Sequence, residues 1–321
     1  MILNLIILIV GFVILVKGAD VFVDAASSLA KNFHLSKMLI ALTIVAFGTS
    51  APEFAVSIKA MISQTGDIVL GNVIGSNILN ILLILGASSC IHALNVKSAT
   101  IKKELPITML ITTLFIILIN DVFLGNGSEN MLTRSDGLII LLFFSIFIYY
   151  LFTIMKNKTD NNSDEDEKPK YNILLSFIFT ILGIICLVFG SNAVVDSASE
   201  IAKIIGVSER VIALTIIALG TSLPELVTSI VATKKGEYDI AIGNVVGSNI
   251  FNIGIVLGIP ITIFGSIHHI TFNSIDLLIM ILSAILLFLF SFKDHKISRK
   301  QGIIFLIIFI VYYTHVILSS L

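Results

Sequence analysis

Two carboxylates, and the hydroxyls beside them, are the groups in this 321-residue chain best suited to chemistry. Glu53 and Glu225 each end a Gly-Thr-Ser-x-Pro-Glu segment inside a long apolar run. A carboxylate at the centre of a bilayer costs about 2.5–3.5 kcal/mol on translocon-based scales, so such acids mark candidate functional sites. The structural alternative is a protonated glutamate or a hydrogen-bonded strut. We favour a functional role because the acid, its proline and its hydroxyls all occur twice.

Pro52 and Pro224 predict a kink or break in the helix that carries each acid. Proline has no N–H to donate to the carbonyl four residues earlier, and its ring disturbs that turn. Within a membrane, carbonyls freed in this way are tolerated only where protein, water or an ion satisfies them. We therefore expect freed carbonyls to face inward, beside the hydroxyls of Thr49, Ser50, Thr221 and Ser222.

A second duplicated motif, Gly-Asn-Val-x-Gly-Ser-Asn, follows each acid at residues 71–77 and 243–249. Ser76 and Asn80 lie four residues apart and share a helix face, as do Ser248 and Asn252. Hydrogen bonding between helices is the structural alternative for these side chains. We favour ligand or supporting roles for the serines and asparagines, and close helix packing for Gly71, Gly75, Gly243 and Gly247.

All donors in these motifs are oxygens, and neither motif contains histidine or cysteine. Calcium takes six to eight oxygen ligands in flexible arrangements, whereas copper, zinc and nickel prefer imidazole or thiolate ligands. Magnesium fits less well because it gives up its waters reluctantly. Ca²⁺ and Na⁺ are therefore the ions that fit this oxygen set best, and no cofactor is expected.

Composition places these motifs in a membrane protein. Hydrophobic residues make up 56% of the chain and charged residues 13%, against about 25% charged in soluble domains, and the mean hydropathy is +1.04. The net charge of −1 provides no basic field for a nucleic acid. Cys90 and Cys186 lie in apolar surroundings without a nearby metal-ligand pattern, which favours simple packing. Nothing in the sequence indicates an obligate protein partner.

Ten apolar runs are long enough to approach or cross a hydrocarbon core of about 30 Å. They lie near residues 2–26, 38–62, 68–91, 104–120, 136–155, 171–195, 209–233, 240–265, 275–292 and 301–319. The polar stretch 156–170 reads as a flexible cytosolic connector. The predicted organisation is a five-helix half at 1–155, this connector, and a second five-helix half at 171–321.

The two halves repeat one another at a constant offset. Residues 41–60 match 213–232 at 13 of 20 positions and residues 71–86 match 243–258 at 11 of 16, each 172 residues apart. Because five spans are an odd number, the second copy must be inverted in the membrane. With the amino terminus outside, fifteen lysines and arginines lie at inner ends and four at outer ends, as the positive-inside rule requires. We therefore predict an all-α membrane protein of ten transmembrane helices in two inverted repeats, with broken helices 2 and 7 at the ion site.

The paired GTSAPE and GTSLPE segments, with GNVIGSN and GNVVGSN, resemble the two alpha repeats of the calcium/cation antiporter superfamily, specifically its prokaryotic sodium/calcium exchangers. The likeness covers nearly the whole chain. It implies that the first and sixth helices slide against a fixed bundle to give alternating access. It also implies a plasma-membrane antiporter, not an enzyme, that admits Na⁺ and exports Ca²⁺ electrogenically.

The resemblance further implies a ligand set. Glu53 and Glu225 would be central carboxylates, Ala46 and Ala218 would donate backbone carbonyls, and side-chain oxygens would come from Thr49, Thr221, Ser50, Ser222, Ser76 and Ser248. Asn80 and Asn252 match the last motif position. Some members, including potassium-dependent exchangers, carry aspartate at the second of these positions. Asn252 therefore argues against potassium cotransport and leaves two formal negative charges in the site.

Two other functions stay open from sequence. Protons could replace sodium as the coupling ion, since a buried glutamate can carry a proton, although the abundant hydroxyl ligands favour sodium. An intramembrane hydrolase could use Ser50 or Ser222 as a nucleophile. A serine nucleophile needs an adjacent base, and neither motif contains a histidine or lysine, so this alternative is remote.

Overall fold

The structure is a computed structural model that describes residues 1–125, 128–156, 168–207, 212, 215–216, 218–268, 270 and 274–320. The helices of the first half are α1 Ile2–Asn32, α2 Lys37–Thr49, α3 Ala51–Ile62, α4 Gly66–Ile91, α5 Ser98–Lys102, α6 Glu104–Leu118 and α7 Arg134–Lys156. Those of the second half are α8 Ile173–Ile204, α9 Ala218–Gly220, α10 Leu223–Lys234, α11 Tyr238–Phe264, α12 Ser274–Asp294 and α13 Arg299–Ser320. Two short strands, β1 Leu94–Asn95 and β2 Lys296–Ile297, pair antiparallel.

The protein is an all-helical membrane protein. Seven helices are long and apolar enough to cross a bilayer, and the bent pair formed by α2 and α3 raises the number to eight among the described residues. Of the other two predicted runs, 104–120 falls on α6, which has 15 residues. The run 209–233 falls on α9 and α10, and part of it lies outside the described residues. The count of ten spans therefore stays a prediction.

The predicted helix breaks are confirmed. Helices α2 and α3 meet at Ser50 with a bend of 46°, and Pro52 occupies the first turn of α3. In the second half α9 ends at Gly220 and α10 begins at Leu223, with Pro224 in its first turn. A proline is accommodated there because the first N–H groups of a helix have no partner within it.

One freed carbonyl has a role that the sequence did not predict. The carbonyl of Gly220, which Pro224 cannot bond, accepts a hydrogen bond of 2.8 Å from Ser191 Oγ on α8. The expectation that the freed carbonyls face the site is therefore wrong at Gly220, where a neighbouring helix satisfies the group. In the first half Ala19 stands at the position matching Ser191, and alanine has no hydroxyl to donate.

Helices α1 and α8 cross at glycines, so their backbones are in direct contact. A Cβ atom at Gly18 would lie 2.5 Å from Cys186 Cβ, and one at Gly190 would lie 2.8 Å from the backbone nitrogen of Leu15. Gly11 and Gly183 make similarly close approaches. These four glycines are also related by the offset of 172 residues. Small residues at such crossings let two helices approach closely.

Helices α4 and α11 form the centre of the molecule. In the most apolar stretch of each helix, 72% of α4 and 94% of α11 is buried inside the protein. The corresponding buried share is 22% for α1 and α7 and 17% for α13. The duplicated Ser and Asn motifs therefore lie on the two most enclosed helices, and α3 and α10 pack against them.

Candidate cation-binding site

Glu53 and Glu225 lie in equivalent positions at the starts of two helices. Glu53 is in the first turn of α3 and Glu225 in the first turn of α10. Each residue is only 1% exposed. Unpaired N–H groups and the helix dipole favour a negative charge at a helix N-terminus, so the helix breaks help to stabilise the carboxylates in an apolar interior.

The two acids are joined by reciprocal hydrogen bonds. Ser50 Oγ donates to Glu225 Oε1 at 3.1 Å, and Ser222 Oγ donates to Glu53 Oε1 at 3.2 Å. Each serine lies three residues before one acid in the sequence but bonds the acid of the other half. This exchange brings both carboxylates into one buried site, as the repeat predicted.

Among the two acids and the duplicated serine and asparagine positions, five buried oxygens have no hydrogen-bond partner within the described part of the chain. We call them the oxygen cage: Glu53 Oε2, Glu225 Oε2, Ser248 Oγ, Asn80 Oδ1 and Asn252 Oδ1. Buried polar atoms in proteins are nearly always hydrogen-bonded, and two buried carboxylates need a compensating positive charge. A bound cation would satisfy both requirements, because oxygen is the ligand that hard cations take.

The remaining predicted ligands have differing partners. Thr49 Oγ1 donates to Asn244 Oδ1 at 2.9 Å and lies 3.3 Å from the carbonyl of Ala46. That carbonyl also accepts the N–H of Ser50 at 3.0 Å. Ser76 is buried, half-buried Thr221 lies beside Glu53, and Ala218 is the first residue of α9.

Asn72 and Asn244 are functional candidates that sequence reasoning missed. Asn72 Nδ2 donates to the backbone carbonyl of Glu53 at 3.0 Å and to Ser57 Oγ at 3.2 Å. Asn244 Nδ2 makes the equivalent bonds to the carbonyl of Glu225 at 3.2 Å and to Ser229 Oγ at 3.0 Å. Each amide therefore holds the helical turn that carries an acid. Their duplication within the Gly-Asn-Val motif was the signal that could have found them.

Asn77 and Asn249 were also missed. They end the same two motifs, are buried, and bond across the interface between the halves. Together with Asn80 and Asn252 they form a group of four asparagines on α4 and α11.

The fold is that of a multi-pass membrane protein, and the site is a buried group of oxygen atoms whose chemistry suits a hard cation. The sequence profile of the family described as sodium/calcium exchanger protein matches residues 3–153 and 175–318. The chain therefore belongs to this family, whose members are ion exchangers and not enzymes. The resemblance drawn from the motifs is confirmed.

Individual relatives are similar to the chain over nearly its full length. CaxA of Alkalimonas amylolytica, named provisionally as an antiporter, is 38% identical over 97% of this chain and 98% of its own. The sodium/calcium exchanger MaX1 of Methanosarcina acetivorans is 32% identical over 96% and 97%. A solved structure of the sodium-calcium exchanger NCX_Mj, soaked with zero Na⁺ and Ca²⁺, matches with a TM-score of 0.82 at 32% identity, covering 98% and 99% of the two chains.

Proposed function

We propose that this protein is a secondary antiporter that exchanges Na⁺ for Ca²⁺ at the oxygen cage by alternating access. The observation that carries the proposal is the pairing of Glu53 and Glu225 through each other's serines in a site closed to solvent. Ca²⁺ and Na⁺ compete for the same two carboxylates, so they cannot occupy the site together. This mutual exclusion couples the two fluxes.

The proposed ligands are the twelve residues predicted from sequence. Glu53 and Glu225 bind both ions, and the unpaired oxygens of Ser248, Asn80 and Asn252 support their roles as ligands. Thr49, Thr221, Ser50, Ser222 and Ser76 add hydroxyl oxygens, and Ala46 and Ala218 add carbonyls. The hydroxyls that now bond the acids would rotate toward an ion, since a hydroxyl can donate to a carboxylate or offer its lone pairs.

The charge of the site determines how much net charge each possible stoichiometry moves. With two ionised carboxylates, one Ca²⁺ or two Na⁺ neutralise the site, and a third Na⁺ leaves a net charge of +1. Exchange of three Na⁺ for one Ca²⁺ then moves one charge, worth about 2.3 kcal/mol per 100 mV. A negative cell interior drives Na⁺ inward and Ca²⁺ outward, which makes the protein a calcium exporter of the plasma membrane.

We place ten helices in two inverted halves, 1–155 and 171–321, with the amino terminus outside and the connector 156–170 in the cytoplasm. The distribution of lysine and arginine supports this orientation. The moving part is the α1 and α8 pair, because glycine contacts fasten these helices to one another. Their sliding over the helices that carry the acids would expose the oxygen cage to one side and then to the other.

In this orientation, ion pairs tie the inner end of α1 to the turn between α10 and α11. Lys235 Nζ lies 2.8 Å from Asp20 Oδ1 and 2.5 Å from Asp24 Oδ1. Lys170, at the end of the connector, also bonds Asp24, which raises the pKa of this lysine and keeps it charged at neutral pH. These pairs must break if α1 slides to open the inner side.

Lys235→Ala is therefore expected to favour the inward-open state and to raise the apparent affinity for Ca²⁺ applied on the cytoplasmic side. Exposed ion pairs contribute about 0.2–1 kcal/mol each, so loss of two predicts a rise of about two- to thirtyfold. The measurement is Ca²⁺-dependent exchange in inside-out vesicles. Lys234→Ala, which removes an adjacent exposed lysine, is the control, and an equal effect of both variants would contradict this role.

The proposed function is tested with purified protein in liposomes by measuring ⁴⁵Ca²⁺ uptake driven by an outward Na⁺ gradient. Uptake should require internal Na⁺, proceed without K⁺, and fail when a pH gradient replaces the Na⁺ gradient. Uptake driven by the pH gradient alone would show a proton-coupled antiporter of the same fold. Absence of Ca²⁺ uptake under either gradient would refute the proposal.

A further inference from the structure

Four buried asparagines join the two central helices. Asn77 and Asn80 lie on α4, Asn249 and Asn252 lie on α11, and all four are at most 2% exposed. Asn80 and Asn252 each begin a π-helical stretch, Asn80–Leu85 and Asn252–Leu257. Such wide turns change the direction of side chains and occur often at functional sites. Something outside the helix must therefore orient the Asn80 and Asn252 amides.

A backbone carbonyl fixes the orientation of the amides, because it can only accept hydrogen bonds and therefore requires the NH₂ end of the side chain that bonds it. Asn249 Nδ2 donates to the backbone carbonyl of Asn77 at 3.3 Å, which turns Asn249 Oδ1 the other way. Asn80 Nδ2 donates to that oxygen at 2.9 Å. Asn80 Oδ1 is then left without a partner within the described residues, as part of the oxygen cage.

An equivalent chain of bonds exists with the roles of the two halves exchanged. Asn77 Nδ2 donates to the backbone carbonyl of Asn249 at 3.4 Å, and Asn252 Nδ2 donates to Asn77 Oδ1 at 3.1 Å. Asn252 Oδ1 is left unpaired in the same way. Each amide of the oxygen cage is thus oriented by an asparagine of the other half.

We propose that Asn77 and Asn249 are positioning residues that select cations by fixing which end of each cage amide faces the site. Asn249 holds the oxygen of Asn80 toward the ion, and Asn77 holds that of Asn252. An amide has an acceptor end and a donor end. In the opposite orientation the partly positive NH₂ group would face the cation and repel it. The inference rests on the proposed function, because it assumes that the oxygen cage binds Ca²⁺.

The crossed pattern predicts which double mutants are coupled. Asn249→Ala frees the Asn80 amide to turn, so Ca²⁺ affinity should fall by up to about tenfold, the upper end of the range for loss of a hydrogen bond between neutral groups. In an Asn80→Ala background, Asn249→Ala should add nothing further, because its target is already absent. In an Asn252→Ala background it should cause its full loss, because Asn249 does not bond that amide. The loss caused by Asn77→Ala should likewise disappear in an Asn252→Ala background and be additive with that of Asn80→Ala.

The measurement is Ca²⁺ affinity of the purified protein in Na⁺-free buffer by isothermal titration. Asn120→Ala, which removes a side chain whose one hydrogen bond among the described contacts is to the carbonyl of Ile116, is the control and should leave affinity unchanged. If Asn249→Ala does not fold, the mirror cycle with Asn77 makes the same test. Asn249→Asp, which keeps the acceptor that Asn80 needs, should retain more affinity than Asn249→Ala.

Additive losses for the pair Asn249 and Asn80 would overturn the inference, since a purely structural asparagine would weaken binding whichever cage amide is present. Coupling of Asn249 to Asn252 instead would overturn it as well. The proposed function fails on a separate result, namely a wild-type protein that binds no Ca²⁺ or shows no Na⁺-driven Ca²⁺ flux. If the wild type binds Ca²⁺ but the losses caused by the Asn249 and Asn80 substitutions are additive, the exchanger proposal stands and only this inference fails.

Discussion

Glu53→Gln and Glu225→Gln are each expected to abolish Na⁺-driven Ca²⁺ uptake. Glutamine preserves the volume of the side chain and one acceptor oxygen for the serine of the other half, but it removes one of two negative charges from a site that excludes solvent. Loss of one partner from a buried charge pair costs about 3–5 kcal/mol. Ca²⁺ affinity should therefore fall by at least about 100-fold. The measurement is initial ⁴⁵Ca²⁺ uptake into liposomes of matched protein content.

The matched control is Glu200→Gln, which makes the same substitution at a side chain that is 54% exposed and paired with Lys203. It should leave uptake unchanged. Melting temperatures without ions separate loss of binding from misfolding, and added Ca²⁺ should raise the melting temperature of wild type and control but not of either site variant. Near-normal uptake by either site variant would contradict a shared two-carboxylate site.

Membrane voltage is expected to shift the exchange equilibrium strongly. If three Na⁺ exchange for one Ca²⁺, a potential of 100 mV adds about 2.3 kcal/mol, which corresponds to a change of about 50-fold in the Ca²⁺ gradient that the protein can sustain. An interior-positive potential, set with K⁺ and valinomycin, should promote Ca²⁺ uptake into Na⁺-loaded liposomes. An interior-negative potential should oppose it.

Two further measurements test whether the voltage effect arises from Na⁺/Ca²⁺ exchange and give its stoichiometry. The same voltages applied without internal Na⁺ should produce no uptake, which excludes a simple Ca²⁺ leak. The external Na⁺ concentration at which net flux vanishes then yields the stoichiometry directly. An equilibrium that does not respond to voltage would indicate exchange of two Na⁺ for one Ca²⁺ and would contradict the proposed third Na⁺.

Much of the site follows from the repeat in the sequence. Pro52 and Pro224 require interrupted helices, because a proline leaves a carbonyl without its helical partner. The intramembrane position of Glu53 and Glu225 requires a buried polar environment, and their duplication predicts a common site. The structure has both breaks and unites both acids through Ser50 and Ser222.

Other features could not be read from one copy of the motif, because they are contacts between the halves. Ser50 could have bonded Glu53, its own neighbour in the chain, yet it bonds Glu225. The carbonyl freed by Pro224 was expected to face the site, but Ser191 of another helix satisfies it. These hydrogen-bond partners depend on which helices pack together, and residue spacing within one segment does not contain that information.

The sequence alone establishes that the chain lies in a membrane and that its helices break beside two acids, and it predicts that the acids form an oxygen site suited to hard cations. It could do so because hydropathy, proline geometry and ligand chemistry are properties of individual residues and their spacing. Only the tertiary structure decided which oxygens remain unpaired, and that Asn72, Asn77, Asn244 and Asn249 hold the groups beside them. An asparagine can donate or accept, and the partner that it meets across a helix interface decides which end faces the ion.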